Sequence, residues 1–247
     1  MATTVEDQAG PPATTGWTWK KLLTVATVLA AVGTILTLVF AGFIPPLALF
    51  VLLWIVGLVL LRTKEKAGAI LLLVVHVAHV ALSLPFTIPI LQVPASAVDF
   101  ILTSFTLVTS LVGIAAAIPV MLGRGGETSP RMLASTATVV FLLASAYSIY
   151  ATVTYDSDEA QGGDVQLTTQ DIEFKPAEIQ ADEGTVSIFI DNKDMTFHTF
   201  TIESGPDVDV DIPAGKSVRV EFEAEQGEYE FYCVPHEGDM EGTLQIN

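Results

Sequence analysis

The first 155 residues of this chain hold five apolar stretches, each near the length of about 20 residues that carries a helix across a bilayer. They run over 22–43, 44–61, 67–84, 100–122 and 132–155. Backbone in hydrocarbon must satisfy its own hydrogen bonds, so runs of this kind are helices or they are not in the membrane. Pro45-Pro46 breaks the first run from the second and predicts a tight hairpin. The second and third runs are short, so re-entry of one of them is the alternative to five spans. A cleaved signal peptide does not suit the first run, which is too long and has four more behind it. Pro85, Pro89 and Pro94 place the 85–99 connection in the outer interface.

The cations give this bundle a direction. Lys20 and Lys21 precede the first run, Arg62, Lys64 and Lys66 lie between the second and third, and Arg124 and Arg131 between the fourth and fifth. The intervening connections, 44–46 and 85–99, have no Lys or Arg. One face therefore carries every cation of this half, and the positive-inside rule makes that face cytoplasmic. The reading is a cytoplasmic tail over 1–21, a five-span domain over 22–155, and the remainder outside the plasma membrane. His76 and His79 fall at i and i+3 in the third run, near mid-membrane. Ionisable groups there are costly. A haem or copper ligand pair and a proton or quinone site stand against two neutral imidazoles hydrogen-bonded inside the bundle. No other run has a His to complete a bis-His haem.

Composition changes abruptly after residue 155. Lys and Arg number 7 before it and 4 after, Asp and Glu 5 and 23, so the net charge passes from about neutral to −19. Residues 156–164, D-S-D-E-A-Q-G-G-D, read as an acidic linker. Beyond it, 165–169, 177–180, 185–192, 198–203, 217–223, 228–233 and 242–246 read as short strands. Val186, Ile188 and Ile190 alternate with polar residues, as do Val218, Val220 and Phe222. Pro213-Ala214-Gly215 and Gln226-Gly227 mark turns. Some seven strands at this spacing predict an antiparallel β-sandwich over 165–247, behind a membrane α-helical bundle. With one cysteine in the chain, no internal disulfide can brace it.

That cysteine lies in Tyr232-Cys233-Val234-Pro235-His236-Glu237-Gly238-Asp239-Met240, which offers a thiolate, an imidazole and a thioether from one short loop. A second imidazole stands upstream at His198. Copper that cycles between Cu(II) and Cu(I) wants this mixture: one soft thiolate, two imidazoles and a weak axial thioether. Zinc is the competitor for Cys and His, but a structural zinc site has little use for a thioether. Taken singly, each of these residues is as well explained by packing, and Met195 is a spare thioether. Order and strand context together favour copper.

Three segments resemble the cupredoxins, the plastocyanin-like blue copper family that includes the halocyanins. They are Asp191-Asn-Lys-Asp-Met-Thr-Phe-His198-Thr-Phe-Thr-Ile202, then Gly227-Glu-Tyr-Glu-Phe-Tyr-Cys233-Val-Pro-His236, and the closing strand Met240-Glu-Gly-Thr-Leu-Gln-Ile246. The resemblance covers about a third of the chain and none of the apolar runs. It implies a Greek-key sandwich holding one type 1 copper, with His198, Cys233 and His236 in a plane and Met240 axial. It further implies an electron port through the His236 edge and a second route by Tyr232. Two departures stand out. The Cys-x2-His-x3-Met spacing falls between the plastocyanin-type and amicyanin-type loops, and Thr199 occupies a position often held by Asn, so support between the ligand segments is weaker or differently arranged.

These readings converge on a plasma-membrane electron carrier in a respiratory chain. Its partners would be redox proteins, a cytochrome or a terminal-oxidase or quinol-linked complex, together with membrane lipid and no nucleic acid. The alternative is copper binding, storage or delivery at the cell surface. Catalysis by the chain alone is disfavoured: a multicopper enzyme needs further His-rich sites, and the binuclear site of an oxidase subunit needs two cysteines. The spread of acids along the domain suits adaptation to high salt better than one acidic docking face, because at molar salt screening acts within about 3 Å.

Overall fold

A computed structural model describes residues 16–40, 42, 44–127 and 130–247. Most of the expected N-terminal tail, residues 1–15, lies outside these. Five helices follow one another: α1 (Trp19–Phe40), α2 (Pro45–Thr63), α3 (Glu65–Gln92), α4 (Ala97–Met121) and α5 (Arg131–Thr154). All five are long and apolar enough to cross a membrane. Their outward faces are lined with exposed Val, Leu and Ile, such as Val28, Leu52, Val74, Leu82 and Leu143. That pattern suits lipid contact and has no rationale in water.

The two runs that were short in sequence form helices long enough to span: α2 has 19 residues and α3 has 28. α3 departs furthest from expectation, because it runs on through Pro85 and Pro89 where the sequence suggested an interfacial connection. Each proline removes only one helical hydrogen bond. Breaking the helix among Leu82, Leu84, Phe86 and Ile88 would strand several N–H groups in apolar surroundings. At about 1.5 Å per residue the helix is about 42 Å long, more than the hydrocarbon thickness, so one end projects beyond it.

α4 is the centre of the bundle, with α1, α3 and α5 packed on it. Small residues allow the close approaches that hold membrane helices together. A Cβ on Gly113 would lie 2.5 Å from His76 Nε2, and one on Gly68 would strike the backbone of Leu61. α5 is peripheral, with only Ser148 fully buried. At the cationic end, Lys20 Nζ meets Glu65 Oε2 at 2.6 Å and the Lys20 N–H donates to the Gly125 carbonyl at 3.0 Å.

The C-terminal part forms two facing sheets, ordered β2-β1-β4-β7 and β3-β9-β8-β5-β6. The strands are β1 (Val165–Thr169), β2 (Phe174–Lys175), β3 (Glu178–Ala181), β4 (Gly184–Asn192), β5 (His198–Ile202), β6 (Val208–Ile212), β7 (Ser217–Ala224), β8 (Gly227–Tyr232) and β9 (Glu241–Ile246). The expected sandwich is present, but β1 pairs parallel with β4 and β3 parallel with β9, so both sheets are mixed rather than purely antiparallel. Two strands went unread in the sequence. β2 has only two residues, whereas β6 carries a legible alternation in Val208, Val210 and Ile212. Leu167, Ile188, Ile190, Phe200, Ile202, Ile212, Phe231 and Leu244 form the core between the sheets.

The 156–164 segment is fastened along β7. Asp158 accepts the Arg219 N–H at 2.8 Å, and Arg219 Nε reaches both carboxylate oxygens of Asp164 at 3.0 Å.

Candidate metal centre

Strand order brings the proposed ligands together from distant parts of the chain. β5 lies between β6 and β8, and β8 between β5 and β9. His198 opens β5 with its side chain turned fully inward. Cys233 follows the last residue of β8 and is likewise fully buried. A 3-10 turn, Val234–His236, carries Pro235 as its second residue and swings His236 back over the thiol. Backbone bonds close the loop. Cys233 N–H donates to the Met240 carbonyl at 3.0 Å, and the N–H groups of Asp239 and Met240 both reach the His236 carbonyl, at 3.0 and 2.9 Å.

His198 Nδ1 stands 3.6 Å from Cys233 Sγ and His236 Nδ1 stands 3.4 Å from it. The three donor atoms lie within 4.8 Å of one another, the one such cluster of three or more His, Cys, Asp or Glu groups among the described residues. Donors bound at about 2.0–2.3 Å to a shared ion sit roughly 3.5 Å apart, so the spacing fits a metal. Burial pushes the Cys233 thiol up to about 11, with the Thr199 N–H working against it. Burial drops His236 to about 4, helped by His198, and lowers His198 as well. The centre therefore presents two imidazole lone pairs and a thiol that yields its proton to a strong cation.

Which nitrogen of His198 is free is decided by a residue the sequence did not single out. His198 Nε2 donates to Asp194 Oδ2 at 2.9 Å, leaving Nδ1 to face the sulfur. Burial pushes the Asp194 carboxyl up. The N–H groups of Ile172 and Asp171, with the His198 ring, outweigh this and hold it below the ordinary range. Asn192 holds the same loop from beneath. Its Nδ2 donates to the carbonyls of Thr196, Ile212 and Pro213, and its Oδ1 accepts the Asp194 N–H.

Thr199 resolves the departure noted in the sequence. Its hydroxyl oxygen accepts the Val234 N–H at 2.8 Å, and its own N–H points at Cys233 Sγ, 3.4 Å away. A threonine thus ties the two ligand segments directly. Met240 is fully buried in the same apolar cluster as Cys233, whereas Met195 is 57% exposed. Tyr232 donates its hydroxyl to Glu203 Oε1 at 2.5 Å, which holds the phenol up at about 12.

His76 and His79 of α3 are hydrogen-bonded within the helical bundle. His76 Nε2 meets Thr27 Oγ1 at 3.0 Å and His79 Nδ1 meets Ser110 Oγ at 3.2 Å. Trp54 packs on both rings, 5.3 and 5.0 Å between centroids.

Residues 135–246 match the family model of the cupredoxin-like domain. No curated protein matches the chain. Among solved structures, a reduced amicyanin variant is 15% identical over 36% of this chain and 87% of its own, with a TM-score of 0.31. A Cu(I) amicyanin variant at pH 4 is 16% identical over the same shares, with a TM-score of 0.31, and an oxidised variant is 15% identical with a TM-score of 0.32. The helices before residue 135 match no family. Residues 135–246 thus hold a cupredoxin-like domain, the β-sandwich that gathers His198, Cys233 and His236.

Proposed function

We propose that the chain is a membrane-anchored blue copper protein that carries single electrons on the outer face of the plasma membrane, as part of a respiratory chain. The observation that carries this reading is the convergence of two imidazole Nδ1 atoms on one buried thiol, 3.6 and 3.4 Å away. His198, Cys233 and His236 would hold one copper ion, with Met240 as the buried thioether at the same loop. Copper supplies a one-electron couple between Cu(II) and Cu(I).

The chain supplies rigidity. Asp194 fixes the His198 ring, Thr199 ties Val234 to β5, and the Cys233–Met240 backbone bond closes the loop. Donors held in this way move little when charge changes, which favours fast electron exchange over release of the ion. Only His236 among the three reaches the surface, beside exposed Val234, and that edge is the port for electrons. The cationic ends of the helices support a cytoplasmic N-terminus and an outward sandwich. The partners are a cytochrome or an oxidase or quinol-linked complex.

The test is a visible and EPR spectrum of the detergent-solubilised full chain loaded with Cu(II), beside Cys233→Ser. An intense thiolate-to-copper band with narrow hyperfine splitting, lost in the variant, is expected. Colourless protein that takes only Cu(I) would overturn the carrier reading in favour of copper storage or delivery.

A further inference from the structure

Strand register shows which end of the sandwich meets the helices. His198 lies opposite Ile212, and Tyr232 lies opposite both Thr201 and Glu241. The loop before β5, the turn after β6 and the Cys233–Met240 loop therefore share one end. The direct hydrogen bonds from the sandwich to the helices and their connections, among the described residues, come from this same end. Thr196 Oγ1 and the Phe197 N–H both donate to Asp99 Oδ2, at 2.9 and 2.8 Å. The Ala214 N–H donates to Ser96 Oγ at 2.9 Å. Lys216 Nζ donates to the Thr152 carbonyl at 2.8 Å, in the last turn of α5, and lies 5.6 Å from the Tyr155 ring centre.

Ser96 and Asp99 occupy the N-cap and third positions of α4. At that spacing a serine and an acidic residue ordinarily close the helix start on itself. Here the Ser96 side chain makes no cap bond. Both side chains instead hold backbone N–H groups of the sandwich, so the start of α4 gives up its own closure to grip two loops of the other domain. One of the gripped N–H groups belongs to Phe197, the residue before His198. The carboxylate also sits in the first turn of a helix, where the dipole favours negative charge.

We propose that the helical domain is a working part of the metal centre: Asp99 is a positioning residue that holds, through Phe197 and Thr196, the loop carrying His198. The inference rests on the copper reading for its effect on potential. His198 is then constrained from two directions. Asp194 fixes its ring from within the sandwich, and Asp99 fixes its backbone from α4. The carboxylate also places a negative charge beside the ligand loop, and an anion there favours the more positive, oxidised state of the ion.

The test uses the full chain in detergent with Cu(II) as the probe, comparing wild type with Asp99→Ala, Asp99→Asn and Thr196→Val. Midpoint potential, EPR line shape and hydrogen exchange at the Phe197 amide are read. Asp99→Ala should bind one copper with a higher midpoint potential, broadened EPR lines and Phe197 exchange at least about tenfold faster. Asp99→Asn keeps an acceptor without the charge, so it should protect Phe197 better than Asp99→Ala while its potential still rises. Thr196→Val loosens the contact from the sandwich side and decides the matter if α4 variants fail to insert. Wild-type potential, line shape and Phe197 exchange in every variant that folds would overturn the proposal. If wild type shows no thiolate-to-copper band, the copper reading fails, and Phe197 exchange alone still decides whether Asp99 holds the loop.

Discussion

Asn192 is the residue on which the ligand loop should depend most, although it touches no ligand. It is 1% exposed at the end of β4. Its Nδ2 lies 3.0, 3.1 and 3.1 Å from the carbonyls of Thr196, Ile212 and Pro213, and its Oδ1 accepts the Asp194 N–H at 2.9 Å. Two amide protons serve three carbonyls, so one proton is shared. Asn192→Ala removes about three net hydrogen bonds at about 1 kcal/mol each and leaves the Asp194 N–H short of a partner. A loss of about 3–4 kcal/mol follows, a large part of a typical domain stability. Hydrogen exchange of β4 and β6 amides in the full chain should then quicken by about two to three orders of magnitude, at 1.4 kcal/mol per tenfold. Asn192→Asp sharpens the test. It preserves shape but turns a carboxylate oxygen toward three carbonyls, so it should destabilise more than Asn192→Ala. If the isosteric Asp variant is the milder of the two, the side chain is filling space and the hydrogen-bond reasoning is wrong.

Other substitutions probe separate links. Thr199→Val strands the Val234 N–H, and exchange at that amide should rise about tenfold or more, a change of about 1–2 kcal/mol; unchanged exchange would deny Thr199 its tying role. Gly113→Ala drives a methyl against the His76 ring and should destabilise the helical domain by about 1–3 kcal/mol in thermal unfolding, whereas Gly126→Ala meets nothing within 4 Å and should be neutral. The seam along β7 should be pH-dependent. Hydrogen bonding to Arg219 and to the Gln161 N–H holds the Asp164 carboxyl below the ordinary carboxylate range. Its stabilisation is therefore complete above the unfolded value and is lost as pH falls through the depressed one. Proteolysis of 156–164 by an acid-active protease should rise below about pH 4 in wild type. In Arg219→Gln, where only the Gln161 N–H is left to hold the carboxylate, that dependence should weaken.

Signals carried by neighbours in sequence were legible beforehand. Five apolar runs foretold five helices, and the alternation in Val186, Ile188 and Ile190 foretold β4 with its inward face. The extent of α3 was not legible, because Pro85 and Pro89 are breakers in water and tolerable where apolar surroundings make an open backbone worse. Parallel pairing of β1 with β4 and β3 with β9 leaves no local mark, since either neighbour gives the same alternation. At the site, the Cys233, His236 and His198 cluster followed from residue chemistry and order. Asp194, Asn192 and Asp99 did not. Each acts through a partner placed by tertiary structure, and Asp99 lies 97 residues from the Thr196 hydroxyl that it accepts. In sequence it read only as one acid at the edge of an apolar run.

The proposed function stands on His198, Cys233 and His236 binding one copper ion together. Copper K-edge X-ray absorption on the loaded full chain, beside Cys233→Ser, tests it most directly. One short sulfur and two nitrogen scatterers per copper are expected, with the sulfur shell lost in the variant. A copper surrounded only by nitrogen and oxygen, or a sulfur shell that survives in Cys233→Ser, would contradict it.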